Sequence, residues 1–208
     1  PPTQVVIIGA GTVAEYAART GLGLGASIKI FDNHIYKLRR IKQLLGQQVY
    51  TSTIDNYTLG QAIKEADVVI GALRAEKGRS KIVVSEEMVS KMMEGSIIID
   101  VSIDQGGCIE TSKMTSHDDP TFSKYDVTHY CVPNIASRVA RTASYALSNI
   151  LAPVIIDMAE SGGIDESVKK TYSTRSGIYL YKGSLTNRYL AERFKLPFKD
   201  LDLLFAAY

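Results

Sequence analysis

The chain opens on Gln4 to Ile8 (QVVII), a continuous apolar run rich in β-branched residues and ended by Gly9 to Gly11. A run without polar alternation predicts a parallel strand covered on both faces. From Thr12 to about Gly23, Val13, Tyr16, Ala17, Thr20 and Leu24 recur three or four positions apart, which predicts a helix, and Gly25 supplies its stop. Ser27 to Phe31 (SIKIF) predicts a second strand with Asp32 at its C-terminal end, followed by a basic amphipathic helix from Ile35 to Leu45. The rhythm then continues with a strand near Val49 to Thr51, a helix near Leu59 to Glu65, a strand at Val68 to Gly71 and a helix near Ser85 to Met92. Ser96 to Val101 (SIIIDV) and Val127 to Val132 (VTHYCV) predict further strands, and Arg141 to about Glu160 a long helix. Strands alternating with helices imply parallel pairing through right-handed crossovers, so the expected fold is α/β with a doubly wound parallel sheet.

After Gly162-Gly163 the periodicity weakens into a charged segment, a turn at Tyr181-Lys182-Gly183-Ser184 and a final apolar stretch from Leu201 to Tyr208. That tail has too little periodic structure to be a domain by itself. The expected organisation is a nucleotide-binding domain over 1–140, then a long linking helix and the C-terminal part of a second domain over 141–208. The opening Pro-Pro-Thr-Gln leads straight into a strand without an initiator methionine, so the chain reads as a piece of a longer one.

Composition narrows the function. Apolar residues at 45% and charged residues at 22% are the balance of an ordinary globular protein. A net charge of +2 gives no broad electrostatic footprint for nucleic acid or anionic lipid, so neither is an expected partner and a small substrate fits better. Cys108 and Cys131 lie outside any CxxC or His-rich pattern, which predicts two reduced thiols in a cytoplasmic protein and no metal site. The most apolar stretch, Ala143 to Ala159, is broken by Ser144, Ser148, Asn149, Pro153 and Asp157, so no membrane span is expected.

Gly9-Ala10-Gly11-Thr12-Val13-Ala14 is a GxGxxA motif set between a predicted strand and a predicted helix. The first glycine permits the tight turn, the second lets the backbone approach a pyrophosphate, and the small third residue lets helix pack on strand. The helix N-terminus adds amide donors and positive dipole. Taken alone the motif reads equally as a plain strand-to-helix turn, but Asp32 stands at the end of the next strand, where an acid bonds an adenosine ribose. Together they predict a Rossmann domain binding NAD, since the carboxylate repels a 2′-phosphate. Lys37, Arg39, Arg40 and Lys42 read as a solvated helix face rather than as a phosphate site. Gly21-Leu22-Gly23-Leu24-Gly25 follows a helix and precedes a strand, the wrong order for phosphate binding, and is assigned to a turn.

Open parallel sheets bind ligands beyond the carboxyl ends of their strands. Two segments stand there: Ser102-Ile103-Asp104-Gln105-Gly106-Gly107-Cys108 and Pro133-Asn134-Ile135-Ala136-Ser137. These segments, with VVIIGAGTV, IIIDVSIDQGGC and THYCVPNIASRVARTASYALSN, closely resemble the alanine dehydrogenase family, which shares its fold with the proton-translocating transhydrogenases. IDQGGC is the most specific string, and the resemblance runs from Gln4 to Tyr208. It implies reversible oxidative deamination of L-alanine to pyruvate and ammonia with NAD, in a homo-oligomer that is a hexamer for the full enzyme and a dimer for this piece.

By the same resemblance Asp104 matches the family's acidic active-site residue, holding the nicotinamide ribose and assisting at the amine. Asn134 and Ile135 match positions bordering the nicotinamide, and Val101 and Leu73 line the cofactor. Gly9, Gly11, Thr12 and Val13 form the pyrophosphate turn, and Asp32 the ribose contact. Each acid or amide has a structural alternative: Asp104 as the cap of the turn before Gly106-Gly107, and Asn134 as a satisfier of its own loop. His129, in a predicted strand, is read as structural, and His34 and His117 as surface or loop residues. The family's substrate-binding bases and catalytic histidine belong to an upstream domain, so no histidine here inherits that role. Two departures from the family stand out. Ala75-Glu76-Lys77-Gly78-Arg79-Ser80 replaces a Gly-Ala-Lys-Ala-Pro-like loop, and Ile54 stands where some members carry a small hydroxyl. Two other functions compete: a transhydrogenase-type component exchanging hydride with a second nucleotide domain, and a non-catalytic NAD sensor. The intact DQGG segment argues against the sensor.

Overall fold

The computed structural model describes residues 1–75 and 78–206. Its first compact unit is Pro1–Ile135 and its second begins at Ala136. The first unit alternates β1 (Gln4–Ile8), α1 (Thr12–Gly23), β2 (Ser27–Phe31), α2 (Ile35–Leu45), β3 (Tyr50–Ser52), α3 (Asn56–Lys64), β4 (Val68–Gly71), α4 (Glu86–Val89) and β5 (Ile97–Asp100). A 3-10 helix over Val101–Gln105 follows, then β6 (Thr121–Lys124) and β7 (Val127–Tyr130). The sheet order is β3-β2-β1-β4-β5-β7-β6, parallel throughout except for the β6–β7 pair. The order reverses between β1 and β4, which opens the crevice where such sheets take ligands.

Both faces of the sheet are covered, as the unbroken apolar runs require. Val5 and Ile7 of β1 pack on one face with Ala14, Ala18, Leu38 and Ile41 of α1 and α2. Val6 and Ile8 pack on the other with Leu59, Ile63 and Val89 of α3 and α4. Successive strand residues point to opposite faces, so one five-residue strand serves two cores.

The structure shortens three predicted elements. Only Glu86–Val89 of the predicted Ser85–Met92 segment is helical, with the Ser85 side chain capping it at Met88 N. The SIIIDV strand stops at Asp100, whose carboxylate accepts from Ser102 N and turns the chain into the 3-10 helix. The VTHYCV strand stops at Tyr130. Strand β6 lacks a sequence prediction. It pairs antiparallel with β7 through a two-residue turn in which Tyr125 and Asp126 both take positive φ, a primed hairpin turn without the usual glycine.

In the second unit a 3-10 turn over Ile135–Val139 spans the division between the units and leads into α5 (Ala140–Glu160). By length and composition alone the helical stretch Ile135–Glu160 is long and apolar enough to cross a membrane, and its most apolar 18-residue window is not buried. Then come α6 (Ile164–Lys170), α7 (Tyr172–Ser176), the β8–β9 hairpin (Leu180–Tyr181 and Ser184–Leu185), α8 (Arg188–Phe194) and α9 (Leu201–Ala206). The anticipated turn at Tyr181 to Ser184 closes that hairpin, with Lys182 and Gly183 at positive φ. The tail therefore carries more regular structure than its weak periodicity suggests, in elements too short to show a period.

Candidate functional site

The GxGxxA turn sits where the motif requires. Gly9, at φ +112, donates its N–H to Phe31 O at 2.7 Å. A Cβ there would lie 2.4 Å from Ala72 O, so no other residue fits between β1 and the end of β4. Gly11 is the N-cap of α1, and the space where its Cβ would stand is open. No side chain caps this helix, so the amides of its first turn keep their capacity for an anion. Ala14 is fully buried, which is the close helix-to-strand contact that the small third motif residue allows. Thr12 and Val13 are exposed at the same turn.

Asp32 is 3% exposed. Its Oδ2 accepts from Ala10 N at 2.9 Å, and its Oδ1 accepts from His34 N at 2.7 Å and meets His34 Nδ1 at 2.9 Å. The acid thus ties the glycine turn to the end of β2, a structural task that the ribose reading did not include. A carboxylate offers about four acceptor positions, so lone-pair capacity remains for a ribose hydroxyl.

Around this turn lie two adjoining parts of one crevice. The larger, about 770 Å³, is lined by Gly11, Asp32, His34, Ile54, Leu73 and Arg79 among others. The second, about 590 Å³, is lined by Gly11, Thr12, Val13, Val101, Ser102 and Asp104 among others. Gly11, Lys37, Ala72, Leu73 and Arg74 border both. Lys37 and Arg40, read from sequence as solvated helix face, line the crevice, because α2 begins directly after Asp32 and turns that face toward the glycine turn. With Arg74, Arg79 and Lys81 they outnumber the acids Asp32 and Asp104, giving the crevice a positive excess suited to a pyrophosphate. Sequence reasoning passed over Arg74, and it placed Ser102 and Gln105 in the segment at the ligand edge without giving either a role. The only signal for Arg74 was position, just beyond the end of β4.

The DQGG segment forms the opposite wall. Asp104 is exposed, and its Oδ1 accepts from Asn134 N at 2.8 Å, joining the loop after β5 to the loop after β7. The turn at Gly106-Gly107 is closed by backbone bonds to Ile103 O and Ser102 O, so Asp104 is not its cap. Asn134 holds φ 52, and Ile135 beside it is half-buried. Gln105 binds the loop after β4 through two bonds, Ala75 N to its Oε1 at 2.7 Å and Ser80 N to its carbonyl at 2.8 Å. Glu76 and Lys77 of that divergent loop lie outside the described residues.

The other titratable candidates are structural. His129 is fully buried, stacked on Phe122, with Nδ1 3.0 Å from Val127 O and Nε2 2.8 Å from Thr111 Oγ1. A carbonyl accepts only, so Nδ1 carries the proton and Nε2 accepts the hydroxyl. Burial holds the pKa of His129 below the usual histidine value. Cys108 and Cys131 are free and buried, and burial, with Asp100 adding, pushes the Cys108 thiol up to about 12. Among the described residues no cluster of His, Cys, Asp and Glu could hold a metal ion.

Residues 1–188 match a family model described as Alanine dehydrogenase/PNT, C-terminal domain. The chain is similar to an alanine dehydrogenase of Mycolicibacterium smegmatis, 36% identical over 199 residues, covering 96% of this chain and 53% of the relative. Alanine dehydrogenase 2 of Staphylococcus aureus is 37% identical over 203 residues, covering 97% and 54%. The chain therefore spans about half the length of the curated relatives it matches. A solved L-alanine dehydrogenase has a TM-score of 0.83 at 34% identity, over 93% of this chain and 53% of that one. A transhydrogenase from Sinorhizobium meliloti has a TM-score of 0.71 at 22% identity, over 90% and 50%, and shares the fold.

Proposed function

The chain belongs to the alanine dehydrogenase/PNT C-terminal domain family, and from that premise we propose that it is the NAD-binding part of an enzyme that reversibly deaminates L-alanine to pyruvate and ammonia. The observation that carries the reading is the crevice at the strand-order reversal, with an uncapped helix N-terminus on one wall and Asp104 on the other. NAD, when bound, supplies the hydride acceptor. Open space at Gly11, free first-turn amides on α1 and the surplus of bases fit its pyrophosphate. The buried Asp32 favours the unphosphorylated ribose. Asp104 presents a carboxylate anchored on Asn134 N, able to accept from a ribose hydroxyl or from the amine of the substrate. Residues 1–140 form the nucleotide-binding domain, and 141–208 the linking helix and the C-terminal part of the substrate domain. The carboxylate clamp and the acid/base histidine come from sequence outside this chain, and the apolar surface of α5 packs there. The assembled enzyme is a cytoplasmic homo-oligomer.

The test has two arms. NADH titrated into this chain should bind, whereas alanine-dependent reduction of NAD should require a longer protein that carries it, because alignment of both reactants supplies much of the rate. Turnover by the 208 residues alone at the rate of the longer protein would overturn the division of labour, and absence of alanine-dependent reduction in the longer protein would overturn the substrate.

A further inference from the structure

Asp100 ends β5 at the sheet edge and is 1% exposed. Its Oδ1 accepts from Ser102 N at 3.0 Å, and its Oδ2 accepts from Cys108 N at 3.0 Å and from Ser112 Oγ at 2.7 Å. The Cys108 thiol lies 3.7 Å from Oδ1. Two glycines make room for the carboxylate: a Cβ at Gly71 would meet Oδ1 at 2.8 Å, and a Cβ at Gly107 would meet Oδ2 at 2.9 Å. The two amides it holds flank Asp104 in the chain, so one buried side chain pins both ends of the loop that presents Asp104.

We infer that Asp100 is a positioning residue for the nicotinamide end of the crevice, its carboxylate fixing the path of the loop that carries Val101, Ser102 and Asp104. The inference rests on the dinucleotide reading above. Ser102 N, Cys108 N and Ser112 Oγ all donate to Asp100, and only an acceptor on both branches satisfies them. In Asp100→Asn one branch becomes an NH₂ group facing donors, so the loop shifts although the shape of the side chain is kept. The adenosine end, held by Gly9, Ala10 and Asp32 on other strands, has no bond to Asp100 and stays in place.

The experiment compares NADH with ADP, which lacks both the nicotinamide and the ribose beside it, by fluorescence and calorimetric titration of the intact chain. In Asp100→Asn the Kd for NADH should rise about tenfold while that for ADP stays within about twofold, the loss expected when contacts at one end of a ligand fail. Ser112→Ala removes one outer donor without opening the loop, and should raise the NADH Kd about threefold with the same selectivity. A merely structural role would lower the melting temperature and weaken both ligands alike, or neither. Either outcome overturns the inference. Should Asp100→Asn not fold, the ligand ratio in Ser112→Ala decides, an unchanged ratio overturning it. Failure of the unaltered chain to bind NADH would remove the dinucleotide reading itself, and this inference with it.

Discussion

The two units differ in where their apolar residues go. In Pro1–Ile135 the strand residues Val6, Ile7 and Ile8 are almost entirely shielded, and each face of the sheet closes over its own cluster. In the unit that begins at Ala136, the apolar residues of the long helix are open: Tyr145 is 64% exposed and Ile150 67%. Burial there is confined to a few positions such as Val168, Tyr181 and Ala191. The contrast shows that similar hydropathy has two meanings. A strand run flanked by crossover helices builds its own core, whereas a helix apolar all round needs a partner before its side chains contribute to stability.

The sharpest way to break this comparison is a pair of truncations. Ile7→Ala should cost about 4 kcal/mol, as for a fully buried aliphatic side chain that leaves a cavity, while Ile150→Ala should stay within about 0.5 kcal/mol. Urea unfolding of this chain measures both, and comparable losses would mean that α5 is covered in solution. In the longer protein the Ile150 substitution should become costly if α5 packs as proposed.

Next in size is Asp104→Asn, which keeps the shape of a residue that the first unit exposes rather than buries. Turnover of the longer protein should fall about a hundredfold, as when a polar group acting on the transition state loses its charge, with the melting temperature nearly unchanged. Near-normal turnover with a lowered melting temperature would assign Asp104 to holding Asn134 alone.

Cofactor choice is the third test. This chain should bind NADH about tenfold more tightly than NADPH, a carboxylate beside the ribose disfavouring a second anion. Asp32→Ala should narrow the gap and also weaken NADH itself, because Asp32 holds Ala10 N and His34 N. Equal affinity in the unaltered chain would mean that the lining bases Lys37 and Arg40 outweigh the acid.

The smallest effect concerns His129 in the core of the first unit. Burial lowers its folded pKa below 6.5, so the unfolded chain takes up the proton first as the pH falls. The contribution of the neutral ring is complete above 6.5 and declines below it, so stability should drop by under about 1 kcal/mol between neutral pH and pH 5.5. Substituting His129→Gln should flatten that slope in denaturant titrations, and an unchanged slope would place the acid sensitivity elsewhere.

The alternation of strands and helices, the double-faced burial of β1 and the glycine turn before α1 were all legible in the sequence, because periodicity and turn chemistry are local. Asp32 could be found for the same reason: its distance from the motif is set by one helix and one strand. The pairing of β6 with β7 was hidden by a turn without glycine, and the short elements after Gly163 by lengths below one full period. What only the tertiary structure decided is how distant segments share groups: Asp104 with Asn134, Gln105 with Ala75 and Ser80, Asp100 with Cys108 and Ser112, and Lys37, Arg40 and Arg74 around one crevice. Those meetings follow from the order β3-β2-β1-β4-β5-β7-β6, which brings the loops after β1, β4, β5 and β7 to one edge. Local sequence encodes which face of an element is buried, whereas strand order, a product of the whole packed sheet, sets which loops become neighbours.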